Sequence, residues 1–172
     1  MKELLKLASQ GDPNAQFRLG YNYFKGIGCK QNYNEAAYWF EKAAIQGHVA
    51  AQYNIGQCYE KELGVQQNYT KAFEWYQKAA AQGDIDAMSN IALYYCLGCG
   101  VIKDTTKAVL WWEKALSFGD SKAAFNLGVC HRDGMGVIQN LYKAKQFFMK
   151  AKELGHPMAD QGLRDLYRIH GI

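Results

Sequence analysis

The chain has 172 residues, 49% of them hydrophobic and 14% aromatic, which is enough to bury the core of a single domain. Its 20 basic and 16 acidic residues give a net charge of +4, a balance too mild to indicate nucleic-acid binding by itself. No stretch reaches the ~18 apolar residues of a membrane-spanning helix, and the N-terminal residues lack the apolar run of a signal peptide. We therefore expect a cytoplasmic monomer that does not insert into a membrane.

The five cysteines and four histidines do not form a recognisable chemical site. An odd number of cysteines without a secretion signal indicates reduced thiols. Cys96 and Cys99 form a C-x-x-C motif, but neither a second cysteine pair nor a nearby histidine completes a set of zinc ligands. General acid–base catalysis needs two convergent groups near a pocket, and the scattered histidines do not supply them. We expect no enzyme activity, no catalytic residues, no metal and no cofactor.

The dominant pattern is a repeat with a period of 36 residues, which no insertion interrupts. Its clearest marker is a column of glycines: Gly11, Gly47, Gly83, Gly119 and Gly155. A fixed period of this length is typical of a solenoid of stacked helical hairpins. The pattern predicts one all-α domain over residues 1–172. It consists of a capping half-repeat at 1–10, repeats at 11–46, 47–82, 83–118 and 119–154, and a C-terminal capping helix at 155–172.

The half-repeat predicts a capping helix whose apolar stripe faces the next repeat and whose other side is exposed to solvent. The stripe consists of Leu4, Leu5, Leu7 and Ala8. At the other end, the predicted capping helix replaces apolar neighbours with charged side chains. These are Asp160, Arg164, Asp165 and Arg168. Both ends are therefore expected to face water.

The first helix of each repeat is predicted from a start signal and a four-residue spacing. In the first copy, Asp12 is an N-cap and Pro13 occupies the first helical position, a device that His156 and Pro157 repeat. Ala15, Leu19 and Tyr23 then mark the buried side. A glycine recurs in the middle of this helix, at Gly20, Gly56 and Gly128. Because glycine there costs ~1 kcal/mol relative to alanine, its recurrence predicts close approach by a neighbouring helix.

A turn with paired glycines leads to the second helix of each repeat. The turns contain Gly26 and Gly28, Gly98 and Gly100, and Gly134 and Gly136, whereas Glu62-Leu63-Gly64 keeps only the second glycine. No strand precedes these glycines, so they indicate turns and not a phosphate-binding loop. The next N-caps are Asn32, Asn68, Asp104 and Asn140, and Asn32 with Glu35 is predicted to form a capping box.

The buried stripe of the second helix is predicted at Ala36, Trp39, Phe40 and Ala43, and it recurs in the later copies. On this basis Trp75→Ala should cost about 3–5 kcal/mol of stability, as for buried large aromatics. Two lysine rows are predicted on the outer, solvated face. They are Lys42, Lys78, Lys114 and Lys150, and Lys71, Lys107 and Lys143. Glutamates are interspersed among them, and no aromatic stacking platform accompanies them, so we expect no nucleic-acid partner.

These columns give the patterns A-x-x-x-L-G-x-x-Y-x-x-G-x-G-V and D/N-x-x-K-A-x-x-W-x-x-K-A-A-x-x-G, for example in residues 51–56 (AQYNIG) and 71–75 (KAFEW). The chain thereby resembles the Sel1-like repeat family, a relative of the tetratricopeptide repeat. The resemblance covers residues 1–170. It implies a right-handed α/α superhelical solenoid of antiparallel helix hairpins that acts as a non-enzymatic adaptor or scaffold between proteins. A secreted, cysteine-rich branch of this family places cysteine where this chain has Ala44, Ala80, Leu116 and Lys152, so its activity is not carried over.

In such arrays the first helices line a concave groove, and their remaining positions are expected to bind a peptide or a partner's helix. The candidate residues are Phe17, Tyr21, Phe24, Tyr53, Asn54, Gln57, Asn90, Leu93, Phe125, Asn126, Val129 and Arg132. Related tetratricopeptide arrays grip a peptide's carboxylate with lysines at positions held here by Phe17, Tyr53, Ser89 and Phe125, so that clamp is absent. Some of these rings could instead pack between repeats. The alternative function is a toxin-neutralising immunity protein, or a secreted, host-interacting bacterial factor built on the same repeats.

Overall fold

The computed structural model describes residues 2–170, and the described chain is entirely helical, without a strand. Ten helices lie within this range, as the repeat pattern predicts. The first five are α1 (Lys2–Ser9), α2 (Pro13–Lys25), α3 (Tyr33–Ile45), α4 (Val49–Lys61) and α5 (Tyr69–Ala81). The others are α6 (Ile85–Leu97), α7 (Thr105–Ser117), α8 (Ser121–Asp133), α9 (Leu141–Glu153) and α10 (Ala159–His170).

The chain forms two compact units, residues 2–87 and 88–170, and the division falls inside α6. In the first unit each helix from α1 to α5 packs against the next one along the chain. In the second unit α7, α8, α9 and α10 pack in the same sequential way, and α8 also touches α10. Packing between sequence neighbours is what a repeat array requires, since a single hairpin cannot bury its own apolar face.

The predicted N-caps begin the helices as expected. The side chains of Asp12 and Asp84 accept hydrogen bonds from backbone N–H groups of the first turn, at 2.6 and 2.8 Å. The second-helix caps do the same. One of the two hydrogen bonds of the predicted capping box is not formed. The backbone N–H of Asn32 donates to the carbonyl of Tyr23 and not to the side chain of Glu35. Pro157 does not open a helix either, since α10 begins two residues later, at Ala159.

Each mid-helix glycine has a close neighbour, as its unfavourable helix propensity predicts. A Cβ added at Gly20 would lie 2.8 Å from a ring carbon of Phe40, and one at Gly128 would lie 2.6 Å from the ring of Phe148. Both distances are shorter than a van der Waals contact, so only glycine lets the aromatic ring lie flat against the first helix. The predicted close approach is confirmed, and the approaching group is an aromatic side chain of the same repeat.

The deepest aromatic column is therefore one residue later than the tryptophan column. Phe40, Tyr76 and Phe148 are fully buried, and Trp112 is 3% exposed. By contrast, Trp39, Trp75 and Trp111 are only half-buried, so the predicted burial of that column is wrong. The exposed lysines of the same helices cover these rings: the Nζ of Lys78 lies 4.0 Å from the Trp75 centroid. The rotation of the second helix about its axis decides which of two adjacent rings is buried. The spacing of aromatic residues in the sequence does not distinguish between the two rings.

Buried glutamines add a polar ladder to the apolar core of the first unit. Gln16 and Gln52 are each 5% exposed. The side-chain amide of Gln16 donates to the carbonyl of Ala8, and its oxygen accepts from Gln46 at 2.8 Å. The same arrangement joins Gln52 to Gln82 one repeat later. The glutamine amides add a second hydrogen bond to the carbonyls of Ala8 and Ala44, which also accept from the backbone N–H groups of Gly11 and Gly47.

The two end helices are less polar on their open sides than the sequence predicts. In α1 only Ala8 is buried, while Leu5 and Leu7 are 43% and 42% exposed. In α10 Tyr167 is 72% exposed although Asp160 and Arg168 lie in the solvent as expected. Helices are present at both predicted capping positions, but neither has a wholly polar exposed side.

Candidate functional site

The candidate residues on α2 form an aromatic cluster. Phe17 packs against the buried ring of Phe40, with 5.8 Å between centroids, and Phe24 lies edge-on to Tyr33 at 5.4 Å. Both candidate phenylalanines are half-buried, whereas Tyr21 is 39% exposed. Thus Phe17 and Phe24 belong partly to the core, and Tyr21 offers the larger free surface.

The candidates on α4 are held by contacts within the same unit. Tyr53 is half-buried and lies 5.7 Å from the ring of Tyr76, and its hydroxyl accepts a hydrogen bond from Gln57 at 3.0 Å. Asn54 donates from its amide to the carbonyl of Ala50, one turn earlier in the same helix, at 2.7 Å. Part of the predicted amide row is therefore engaged inside its own helix.

The candidates of the second unit lie on α6 and α8. Leu93 is 40% exposed, whereas Phe125 is half-buried and packs 5.4 Å from Phe148. Arg132 forms two hydrogen bonds to its neighbour Asp133, at 2.7 and 2.8 Å, and this pairing raises the pKa of the guanidinium. The remaining candidates, Asn90, Asn126 and Val129, are half-buried. The candidates thus lie on α2 and α4 in the first unit and on α6 and α8 in the second.

A link between consecutive repeats connects the Phe17 position to the residue before the next first helix. Phe17 stacks on His48 with 4.5 Å between centroids, and Phe125 stacks on His156 at the same distance. At the equivalent position, the hydroxyl of Ser89 donates to the carboxylate of Asp120. An aromatic ring thus faces histidine and a hydroxyl faces aspartate, both 31 residues apart.

Sequence reasoning missed this pairing and predicted only a helix-start role for His156. The sequence does contain a signal for this pairing. The residue 31 positions after Phe17 and after Phe125 is histidine, and the residue 31 positions after Ser89 is aspartate. Only the packing shows that these two columns touch. It also shows that the ring of Phe17 and that of Phe125 are fixed on one side by a neighbouring repeat.

The pKa values of three histidines are lowered. Burial disfavours the imidazolium form of His48, whose Nδ1 also accepts a hydrogen bond from the Ala51 N–H at 3.2 Å. Burial lowers the pKa of His156, with a further contribution from Lys122. Burial and the charge of Lys143 lower the pKa of His131, which stacks on Phe147 at 5.3 Å. The folded chain therefore favours the neutral form of all three histidines more than the unfolded chain does.

We expect the folded state to lose stability as the pH falls below about 6.5. The unfolded histidine pKa lies near 6.5, and the folded values are lower, so the unfolded chain binds more protons in this window. Stability is therefore fully present above that value and decreases as protons bind. Urea unfolding at a series of pH values measures the slope. In His48→Asn, asparagine keeps an N-cap acceptor that does not titrate, so the slope should be smaller. An unchanged slope would contradict the role of His48.

The cysteines remain separate thiols in the described structure. Cys58 and Cys130 are buried, and burial raises the pKa of each thiol to about 12. Cys96 and Cys99 are half-buried, and residues 2–170 contain no cluster of three potential His, Cys, Asp or Glu metal ligands. Within the same range no helix has the length and apolar character that crossing a membrane requires.

Comparisons with known proteins agree on the repeat. The family model described as the Sel1 repeat matches residues 13–48, 49–84, 85–119 and 121–156. Among solved structures, the chain is 33% identical to c5321, described as a protective antigen of uropathogenic Escherichia coli strains, with a TM-score of 0.90. It is 35% identical to a Sel1 repeat protein from Oxalobacter formigenes, with a TM-score of 0.88. A chitin synthase regulator of Saccharomyces cerevisiae, SKT5, is 52% identical over 40 residues.

These relatives are longer than the chain. The alignment covers 96% of the chain and 36% of c5321, and 95% of the chain and 65% of the Oxalobacter protein. For SKT5 it covers 23% of the chain and 6% of the relative. The four matched repeats, by contrast, extend over most of the chain. The chain therefore belongs to the Sel1 repeat family, whose repeats are commonly protein–protein interaction modules.

Proposed function

We propose that the chain binds another protein, without catalysis, through the first-helix face. Each unit presents its own part of this face: the candidate residues on α2 and α4 in the first unit, and those on α6 and α8 in the second. The observation that carries this proposal is the aromatic cluster on α2, in which Tyr21, 39% exposed, lies 6.3 Å from the ring of Phe17. Large apolar groups left accessible on a well-packed helix are typical of binding surfaces.

Half-buried rings on the first helices strengthen the case for a binding surface. Phe17 is fixed by Phe40 and His48, and Phe125 by Phe148 and His156. A ring held in place by its neighbours loses little conformational entropy when a partner covers its open side. Such preorganised aromatic groups are the usual anchors of protein interfaces.

The partner is expected to be an extended peptide or a helix with apolar anchors. Gln57 and the asparagines near the rings can exchange hydrogen bonds with a backbone. Arg132 contributes less attraction for an acidic partner than its charge alone would give, since Asp133 already accepts two of its hydrogen bonds. We therefore propose that apolar contacts to Tyr21 and Leu93 supply most of the affinity.

The test compares two double variants that are matched in residue type, and all four side chains are partly exposed. Tyr21→Glu with Leu93→Glu changes the first-helix face. Tyr38→Glu with Leu110→Glu changes a tyrosine and a leucine on the second helices, which are 51% and 59% exposed. Both variants should keep their helical circular dichroism, because all four side chains are already partly in solvent. Proteins captured by the unmodified chain from a lysate of its source cells are then quantified for each variant.

We expect the first-helix variant to lose a specific partner by at least ~10-fold in recovery, because a carboxylate would be buried against that partner. The second-helix variant should retain it. Loss of the partner only in the Tyr38 and Leu110 variant would show that the binding surface lies on the second helices instead.

A further inference from the structure

Two isoleucines in the turns of the second unit are almost completely exposed. Ile102 lies in the turn between α6 and α7 and is 90% exposed, and Ile138 lies in the turn between α8 and α9 and is 92% exposed. They occupy the same repeat position, which Lys30 and Gln66 hold in the first unit. A single exposed apolar residue is ordinary on a protein surface, but its repetition in consecutive turns indicates a shared role.

The two turns are in direct contact, so the isoleucines belong to one surface. A Cβ added at Gly136 would overlap the carbonyl of Thr105 in the first turn of α7. The turn of the fourth repeat therefore packs on the start of the second helix of the third repeat. We call the surface formed by residues 97–107 and 132–143 the turn edge of the second unit.

Two further apolar side chains extend this surface. Leu97 ends α6 and is 61% exposed, and Tyr142 lies in the first turn of α9 and is 70% exposed. The equivalent residues of the first unit are all polar: Lys25, Lys61, Asn34 and Thr70. At these positions, apolar side chains thus occur only in the second unit.

The turn edge also carries an excess of positive charge. It contains four basic and two acidic side chains, which gives a net charge of +2. Asp104 pairs with Lys107 at 3.3 Å, and Asp133 pairs with Arg132 at 2.7 Å. The two remaining basic side chains are exposed lysines, and they account for the net charge.

These two lysines, Lys103 and Lys143, lie close to the isoleucines in the chain. Lys103 directly follows Ile102 and stands where the other three repeats have a glutamine. In those repeats the glutamine side chain donates to a carbonyl in the last turn of the preceding first helix, at 2.7–2.8 Å. The third repeat therefore has an exposed positive charge in place of an amide that holds the turn.

We propose that the turn edge of the second unit binds the surface of an anionic lipid bilayer. Ile102 and Ile138 enter the interface between headgroups and acyl chains, and Tyr142 lies at the level of the headgroups. Lys103 and Lys143 attract the acidic headgroups. The backbone of the turns stays outside the hydrocarbon, so this contact needs no membrane-spanning helix.

The exposure of the isoleucines favours a bilayer over a protein partner. The anchors of protein interfaces lie in well-packed pockets, surrounded by further contacts that exclude water. Ile102 and Ile138 project from their turns with almost no covered surface, so a protein would have to supply a complete pocket for each. A bilayer interface needs no matching shape, and its negative charge complements the lysines. The edge shares only Arg132 with the first-helix face, so either proposal can fail without the other.

The first experiment measures cosedimentation of the chain with vesicles of phosphatidylcholine, either alone or with about 30% phosphatidylserine. We expect binding to the anionic vesicles to be at least ~10-fold stronger than binding to the neutral ones in about 0.1 M salt. It should weaken in about 0.5 M salt, because dissolved ions screen the lysines. Equal binding to both kinds of vesicle, or no binding to the anionic ones at the highest lipid concentration, would overturn the proposal.

The second experiment replaces the isoleucines by glutamine, the residue that the second repeat has at this position. Ile102→Gln with Ile138→Gln should lower the partition coefficient onto anionic vesicles at least ~10-fold, since two aliphatic groups no longer enter the interface. The matched control is Ile45→Gln with Leu110→Gln, at positions 70% and 59% exposed on second helices. Thermal melting followed by circular dichroism establishes that both variants are folded. Unchanged binding by the isoleucine variant, or an equal loss in the control, would contradict the proposal.

The third experiment tests the lysines in the same way. Lys103→Gln with Lys143→Gln should lower binding to anionic vesicles at least ~5-fold. Lys78→Gln with Lys114→Gln removes the same net charge from the outer face and should lower it less than ~2-fold, because salt screens distant charges. Equal losses would show that only the overall charge matters and that the edge has no role. If the isoleucine variant binds vesicles normally but loses a protein captured from a lysate, the edge is a protein interface and the lipid proposal is wrong.

Discussion

Replacing Tyr76 by alanine should lower the free energy of unfolding by about 3–5 kcal/mol, the cost of removing a large buried aromatic side chain. Tyr76 is fully buried, and its ring fills the space beside Gly56, where an added Cβ would lie 2.7 Å from a ring carbon. Removing this ring leaves a cavity between α4 and α5. Urea unfolding followed by circular dichroism measures the loss.

The neighbouring Trp75 is the natural control, since it is a larger aromatic residue on the same helix. It is only half-buried, and the lysine Nζ of Lys78 lies over its ring. Trp75→Ala should therefore cost clearly less than Tyr76→Ala. Tyr76→Phe should cost only about 0.5–1.5 kcal/mol, for the hydrogen bond from its hydroxyl to Glu60. If Trp75→Ala were the more destabilising change, the helix would be rotated relative to the structure.

Replacing Gly64 by alanine should be the most damaging single change in the turns, at about 2–5 kcal/mol. Two costs add at this position. The backbone has φ of +76°, which a residue with a Cβ adopts only at a cost, and that Cβ would overlap the carbonyl of Tyr33 at the start of α3. The turn of the second repeat therefore packs backbone to backbone on the first repeat. Unfolding in urea measures the change.

Gly47→Ala separates the two costs. Gly47 also has a positive φ, of +90°, but nothing lies within 4 Å of an added Cβ. This control should cost only the backbone term, roughly 1–2 kcal/mol. Equal effects of the two substitutions would mean that the loop of Gly64 moves freely away from α3.

The same contact explains why the turn Glu62-Leu63-Gly64 keeps only its second glycine. Glu62 ends α4 in the left-handed conformation, with φ of 57°. This position tolerates a side chain at the ordinary conformational cost, whereas Gly64 has no room for one. Gly136 repeats the arrangement against the carbonyl of Thr105 in the second unit. The sequence shows the asymmetry between the two glycines, and the packing gives its cause.

The helices and their ends could be predicted from the sequence because their causes are local. Asp12, Asn32 and the equivalent residues accept hydrogen bonds from the first turn of their own helix, and the chain needs no distant partner for that. The period of 36 residues then repeats the local result in each copy. The close approach at Gly20 was predictable for the same reason, since an unfavourable residue that recurs in a helix implies a compensating contact.

The candidate face was predictable only as a set of positions. The sequence places Phe17, Tyr21 and Phe24 on one helix, but their exposures differ because Phe40, His48 and Tyr33 cover them to different extents. Those neighbours lie on other helices or in other repeats. How much of each ring is free to meet a partner is therefore a property of the packing.

The sequence by itself determined that this protein is a set of helical hairpins with the Sel1 repeat pattern, because period, caps and turns act over a few residues. Only the tertiary structure decided that Tyr76 and not Trp75 is the buried ring, that Gly64 touches α3, and that Tyr167 is left uncovered. Each of these depends on the rotation of a helix and on the residue opposite it. Such contacts join residues far apart in the chain, and the pattern of a single helix carries no information about them.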